Sequence, residues 1–175
     1  SNSRLFLYGD GDTQSYLEFL QEKYLQDFAR IDVNTSIAHQ RSFRKPKRKS
    51  LTYPISSHES LEKKTYVLLG YKLDKAINHE HCLGFSILSH LLLGSSASPL
   101  RKALITSELG SEVIGGGFDD NRADTIFAVG LKGTEPEHEN KILALIDSTL
   151  SDLAENGIEE DMVRSAVNSI DFRLR

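Results

Sequence analysis

The chain has 175 residues, of which 39% are hydrophobic and 26% charged, and a net charge of −4. This composition is typical of a soluble globular protein and excludes a disordered or membrane-spanning chain, and the negative charge gives no reason to expect a nucleic-acid partner. The single cysteine, Cys82, excludes an internal disulfide and a multi-cysteine zinc cluster, and it favours a reducing compartment.

The ends of the chain do not look natural. Ser1 and Asn2 resemble the remnant of a protease-cleaved expression tag, so residues 1–3 are set aside and one domain is expected over residues 4–175. Residues 165–175 keep a helical pattern to the last position, which predicts a domain truncated at its carboxyl end.

The first predicted elements are a strand at residues 5–8, a turn at residues 9–12 and a helix. Asp12 or Thr13 is expected to cap that helix. A four-residue repeat predicts one helical face, formed by Tyr16, Leu20, Tyr24 and Phe28.

A basic linker is predicted next, at about residues 40–60. These residues show no sustained hydrophobic period, and residues 41–49 are strongly basic and interrupted by Pro46. A basic run can bind nucleic acid or direct localisation, but Phe43 and Tyr53 are its only nearby aromatic residues. A solvated linker that crosses the surface is the simpler interpretation.

The remaining pattern predicts strands at residues 65–73, 113–114 and 124–131, with helices before, between and after them. Ser98 and Pro99 are typical of a helix start, with a capping hydroxyl and proline at the first helical position. Gly110 and Gly157 are expected to end helices, and residues 115–121 are predicted to form a turn. The order predicts an α+β fold in two layers, a mainly antiparallel sheet backed by helices.

Two motifs invite a chemical interpretation. Asp10 and Asp12 after an apolar run resemble a phosphatase motif, but the following threonine is one residue too close, so a turn and helix cap are favoured. His79 and His81 would point about 200° apart on a helix, and His90 adds no third ligand, so solvated histidines are favoured over a metal site.

The glycine-rich segment and the single cysteine also have simple structural interpretations. The three glycines at residues 115–117 lack the lysine and serine of a phosphate-binding loop, and Cys82 is expected to be a packed thiol. We therefore predict no catalytic residue, no metal ligand and no cofactor in this chain.

Several segments, in order, resemble the presequence proteases and falcilysin-like zinc metallopeptidases of the insulinase superfamily. The most specific covers residues 98–110 (SPLRKALITSELG), preceded by residues 91–96 (LLLGSS). Residues 6–10 (FLYGD), 127–133 (FAVGLKG) and 146–158 also match. Together they span nearly the whole chain.

The resemblance implies a mitochondrial-processing-peptidase-like domain, the second of four in a clamshell that closes on a peptide. In such enzymes the first domain carries the zinc motif His-x-x-Glu-His, which this sequence lacks. The implied role is a non-catalytic, substrate-enclosing domain of a zinc metalloendopeptidase, with zinc in the parent only. Its implied partners are the other domains of the same polypeptide and an extended peptide, with no nucleic acid and no membrane.

An internal sheet can pair with an extended peptide, main chain to main chain. By this inference the candidates for peptide contact lie in the glycine-rich turn and the last strand; they are Gly116, Gly117, Phe118, Thr125, Phe127 and Val129.

Two alternatives stay open. A catalytically inactive scaffold of the same superfamily would share this fold, and an Asp-based phosphatase would use Asp10 and Asp12. The compartment is expected to be a bacterial cytoplasm or the matrix of a eukaryotic organelle.

Overall fold

The computed structural model describes residues 4–29 and 31–175, so the tag remnant predicted at residues 1–3 lies outside the described residues. The chain forms two units, one ending at Ala38 and one beginning at His39.

The first unit contains helix α1 (Thr13–Leu20), which begins as predicted. The Asp12 carboxylate accepts hydrogen bonds from the Ser15 amide at 2.8 Å and the Ser15 hydroxyl at 2.7 Å, so Asp12 is the cap. The helix changes to a π-helix at Gln21–Leu25, and the four-residue repeat therefore does not continue along one α-helical face.

The strand predicted at residues 5–8 is wrong. These residues have no regular secondary structure, and Phe6 and Tyr8 are 89% and 94% exposed. A strand needs a neighbour to pair with its backbone amides and carbonyls, and within the described residues no strand pairs with this segment.

The second unit is built on a three-stranded antiparallel sheet. Its strands are β1 (Thr65–Lys75), β2 (Glu112–Asp119) and β3 (Asp124–Thr134), in the order β1-β3-β2. Val67 of β1 lies opposite Leu131 of β3, and Phe118 of β2 lies opposite Phe127. The predicted α+β fold with an antiparallel sheet and helices is confirmed.

Four α-helices accompany the sheet. They are α2 (His79–Leu93), α3 (Pro99–Thr106), α4 (Glu139–Asn156), which follows a 3-10 turn at Pro136–His138, and α5 (Glu160–Leu174). The core forms where helical leucines and isoleucines meet the alternate residues of β1 and β3; it consists of Val67, Leu92, Leu100, Leu104, Phe127, Val129, Leu131, Ile142 and Ile146.

Three local predictions need correction. The Ser98 hydroxyl does not cap α3; it accepts from the Ser95 amide at 3.1 Å and donates to the His90 carbonyl at 3.4 Å, tying α3 to the end of α2. Helix α3 ends at Thr106, before Gly110. Residues 115–119 are part of β2, so the turn is limited to residues 120–123.

The linker predicted at about residues 40–60 has neither helix nor strand, and the irregular backbone extends over residues 39–64. It contacts the sheet near Asp124, whose carboxylate accepts from the Gln40 amide at 2.6 Å. Tyr53 contacts the start of β1, where its ring meets that of Tyr66 edge to face at 5.6 Å.

Candidate peptide-contact groove

A groove of about 550 Å³ lies between α2, β2 and the end of α5. We call it the α2–α5 groove. Its wall combines apolar side chains with serine hydroxyls and exposed glycine backbone; among its residues are Leu83, Ser86, Leu93, Gly116, Phe118 and Leu174. Its volume alone lies within the range of about 300–1,000 Å³ that is common for ligand clefts.

A bulge in β2 shapes one wall of the groove. The pairing of β2 with β3 shifts between Ile114 and Gly117, and residues 115–117 all have positive φ. A Cβ atom on Gly115 would lie 2.5 Å from the Ala128 carbonyl oxygen, whereas a Cβ on Gly116 would meet nothing within 4 Å. The bulge therefore packs Gly115 against β3 and leaves the backbone of Gly116 open to the groove.

Helix α2 is fixed to β2 beside this bulge. The Ser89 hydroxyl accepts a hydrogen bond from the Phe118 amide at 3.0 Å. The ring of Phe118 stacks on that of Phe85, with ring centroids 5.8 Å apart and planes 29° from parallel. Gly117 lies directly against Ser89. These contacts hold the groove wall in one arrangement.

The other three candidates for peptide contact are buried. Thr125, Phe127 and Val129 are 0%, 8% and 0% exposed, and they lie on β3, which is paired on both sides. The Thr125 hydroxyl donates to the Asp74 carbonyl at 2.9 Å, which ties β3 to β1. Direct peptide contact stays a prediction for all six residues. Of the six, Gly116 and Phe118 line the groove.

The histidines near the start of α2 do not converge. The Nδ1 atom of His81 lies 2.5 Å from Oδ2 of Asp74, and Asn78 donates to the same carboxylate at 2.9 Å. Hydrogen bonds from the Lys75 amide, His81 and Asn78 lower the pKa of Asp74. His90 lies instead beside the α2–α5 groove.

Catalytic zinc needs three protein ligands and an open position. Within residues 4–29 and 31–175, no group of three or more histidine, cysteine, aspartate or glutamate side chains is arranged to hold a metal ion. The described residues therefore do not fit a catalytic zinc ion.

Cys82 is a packed thiol, as predicted. Its side chain is 8% exposed, and its sulfur donates to the Ala76 carbonyl at 3.5 Å. Burial raises the pKa of the thiol, which keeps it protonated and poorly nucleophilic.

The sequence pattern did not reveal the groove. Leu83 shares the helical spacing of the apolar residues in α2, a pattern that predicts a place against the core, but it is 45% exposed and lines the groove. A usable signal was present, because Ser86 and Ser89 follow Leu83 at three-residue spacing and place hydroxyls along one helical face.

The model of the family described as the peptidase M16 inactive domain matches residues 1–170. The chain belongs to this family. The description agrees with the predicted non-catalytic domain of a metallopeptidase, and the match confirms the resemblance that the ordered segments indicated.

Named relatives match this M16 inactive domain over its whole length. It is 38% identical to protein HypA of Clostridium perfringens and to presequence protease 1, chloroplastic/mitochondrial, of Arabidopsis thaliana. It is 30% identical to the mitochondrial presequence protease of Xenopus laevis. The chain covers 18%, 16% and 17% of these three proteins, less than a fifth of each.

Among the described residues of this M16 inactive domain, the helices are too short or too polar to cross a membrane.

Proposed function

We propose that this chain is a non-catalytic, substrate-enclosing domain of a zinc-dependent metalloendopeptidase that degrades unstructured peptides in a closed chamber. The carrying observation is that a domain of the inactive M16 type, matching presequence proteases along its whole length, has no metal-binding group among its described residues. Zinc would be held by another domain of the parent, and the partners of this domain would be the rest of that polypeptide and the peptide.

The α2–α5 groove is the surface that we propose for peptide contact. Its serine hydroxyls and the open backbone of Gly116 can hydrogen-bond to a peptide main chain, whatever the peptide's side chains are. Leu83 and Leu174 add apolar contact area that any aliphatic or aromatic side chain can use. Such a surface suits a protease that accepts many unstructured sequences.

In this proposal the buried candidates act indirectly. Thr125, Phe127 and Val129 hold β3 between its neighbours, and β3 in turn supports the bulged strand that carries Gly116 and Phe118. These three residues would therefore stiffen the wall of the α2–α5 groove that β2 forms.

A hydrolysis assay tests the non-catalytic part of the proposal. The purified 175-residue chain is incubated with an unstructured peptide, with and without EDTA, and fragments are followed by mass spectrometry. We expect no cleavage in either sample. Cleavage that EDTA abolishes would show that a metal centre exists in this chain and would refute the proposal.

A matched pair of variants tests the groove in the longer protein that contains this domain. Leu83→Glu places a charge in the groove, whereas Leu61→Glu places one on an irregular segment away from it, where the leucine is 80% exposed. We expect the KM for an unstructured peptide to rise roughly fivefold for Leu83→Glu, since about 1 kcal/mol of apolar contact is lost. Equal KM values for the two variants would exclude the groove as a peptide contact.

A further inference from the structure

Residues 41–49, which we call the basic segment, carry an unusual concentration of charge. Six of the nine residues are arginine or lysine, and none is acidic. Since the whole chain has a net charge of −4 and the segment contributes +6, the remaining residues together carry −10. The segment is therefore a cationic strip on an anionic protein.

Near both of its ends, the basic segment is held to the helices and strands of the second unit, to which it belongs. On one side, Asp124 accepts a hydrogen bond from the Gln40 amide at 2.6 Å and lies 3.1 Å from Nδ1 of His39. On the other side, the Arg48 guanidinium pairs with the carboxylate of Glu139 at the start of α4. These contacts restrict the conformations of the segment. The segment therefore loses less conformational entropy when a ligand binds to it.

Most of its cations form no ion pair with a carboxylate of the described residues. Among the ion pairs formed by the described residues, Arg48 is the one member of the segment. The Lys47 ammonium lies 4.8 Å from the centre of the Phe43 ring. Four exposed cations remain to attract an anionic partner: Arg41, Arg44, Lys45 and Lys49.

We infer that the basic segment docks a short acidic polypeptide segment. Arg48 of the segment already pairs with a protein carboxylate, that of Glu139. An acidic peptide would present several such carboxylates to the other cations. Exposed pairs are individually weak, so several must form together for useful affinity.

A nucleic acid fits the strip less well than an acidic peptide. Binding of single strands depends on aromatic side chains on which bases stack, and Phe43 is the one aromatic residue of the segment, with Lys47 already over its ring.

The charge of the rest of the protein favours a short partner. Charges interact over about 8 Å at physiological salt. A long polyanion or a flat anionic membrane would extend beyond the strip and meet the acidic remainder of the chain. A short acidic peptide can contact the cations alone.

The test compares the binding of three fluorescent probes to the whole chain at about 0.15 M salt. The probes are a short glutamate-rich peptide, single-stranded DNA of equal charge, and vesicles containing phosphatidylserine. The segment variant replaces Arg41, Arg44, Lys45 and Lys49 with glutamine. The control variant replaces four exposed lysines elsewhere and has the same net charge; these are Lys23, Lys75, Lys102 and Lys141.

We expect the wild-type chain to bind the peptide more tightly than either other probe. Peptide affinity should fall at least about tenfold in the segment variant and less than about twofold in the control, because only the first loses the strip. Circular dichroism should be unchanged in the segment variant, since its four positions lie outside helices and strands. Tighter binding of the DNA or the vesicles, or equal losses in both variants, would overturn the inference.

Discussion

The two strands of the β2–β3 hairpin differ sharply in what they leave available to a ligand. β3 is paired on both sides, and Thr125 and Val129 are fully buried. β2 has one strand neighbour, and its three consecutive glycines interrupt the pairing where the strand meets the α2–α5 groove. The strands are joined by four residues, yet one belongs to the core and the other borders an open surface.

This difference follows from position in the sheet. A central strand contributes alternate side chains to the core and both backbone edges to neighbours, so little remains for binding. An edge strand with a bulge keeps unpaired backbone and can approach another chain. We therefore expect changes in β3 to affect stability and changes near the β2 bulge to affect recognition.

The largest expected effect comes from a cavity in β3. Leu131 is 1% exposed and belongs to the core, so Leu131→Ala should lower the free energy of unfolding by about 2–5 kcal/mol. Leu68 of β1 is 58% exposed, and Leu68→Ala should cost about 1 kcal/mol or less. Urea unfolding of the three proteins measures both changes. A Leu68 effect as large as that of Leu131 would contradict the assignment of the core.

The bulge should give an intermediate effect that differs between neighbouring glycines. Gly115→Ala combines a φ of 106° with a contact of 2.5 Å to a backbone oxygen, and we expect a loss of about 1–3 kcal/mol. Gly116→Ala also meets a positive φ but has open space, so about 1 kcal/mol is expected. The same unfolding experiment ranks the two variants. The bulge geometry would be wrong if Gly116→Ala were the more damaging change.

The smallest expected effect is a pH dependence at the first residue of β3. The Gln40 amide, followed by His39 and Lys72, holds the pKa of Asp124 below its ordinary value. A lowered folded-state pKa contributes stability that is present above the unfolded pKa of about 4 and is lost as pH falls through the folded-state value.

The variant Asp124→Asn removes that contribution. Between about pH 6 and pH 3, the urea midpoint of the wild type should therefore fall further than that of the variant. Comparison of the two curves cancels the shared titration of the other carboxylates, Asp74 and Asp119 among them. Parallel curves would show that the contacts to Gln40 and His39 do not form in solution.

The sequence predicted elements best where local chemistry is decisive. Asp12 caps α1 and Gly157 ends α4 as expected, because both depend on residues within one turn of the chain. Phe127, Val129 and Leu131 alternate with smaller residues, which predicts that their side chains are buried, and all three are buried. The irregular segment at residues 39–64 followed from the absence of any hydrophobic period.

Predictions failed where a residue's role depends on distant parts of the chain. Residues 5–8 have the composition of a strand, but a strand forms only with a partner beside it. Ser98 has the chemistry of a helix cap, yet its hydroxyl bonds to the end of the preceding helix. Glycines at residues 115–117 are typical of turns, and the pairing of Phe118 with Phe127 shows that they continue a strand instead.

The sequence by itself determined the order of the helices and strands in the second unit and the burial of alternate side chains in β3. It also determined the membership of a peptidase family. These properties are encoded by neighbours along the chain or by ordered motifs. The tertiary structure alone decided which strand is central, where the bulge opens, and that Leu83, Gly116 and Phe118 share one groove. Those facts depend on contacts between residues far apart in the chain, such as Ser89 with Phe118 and Val67 with Leu131, which no local pattern specifies.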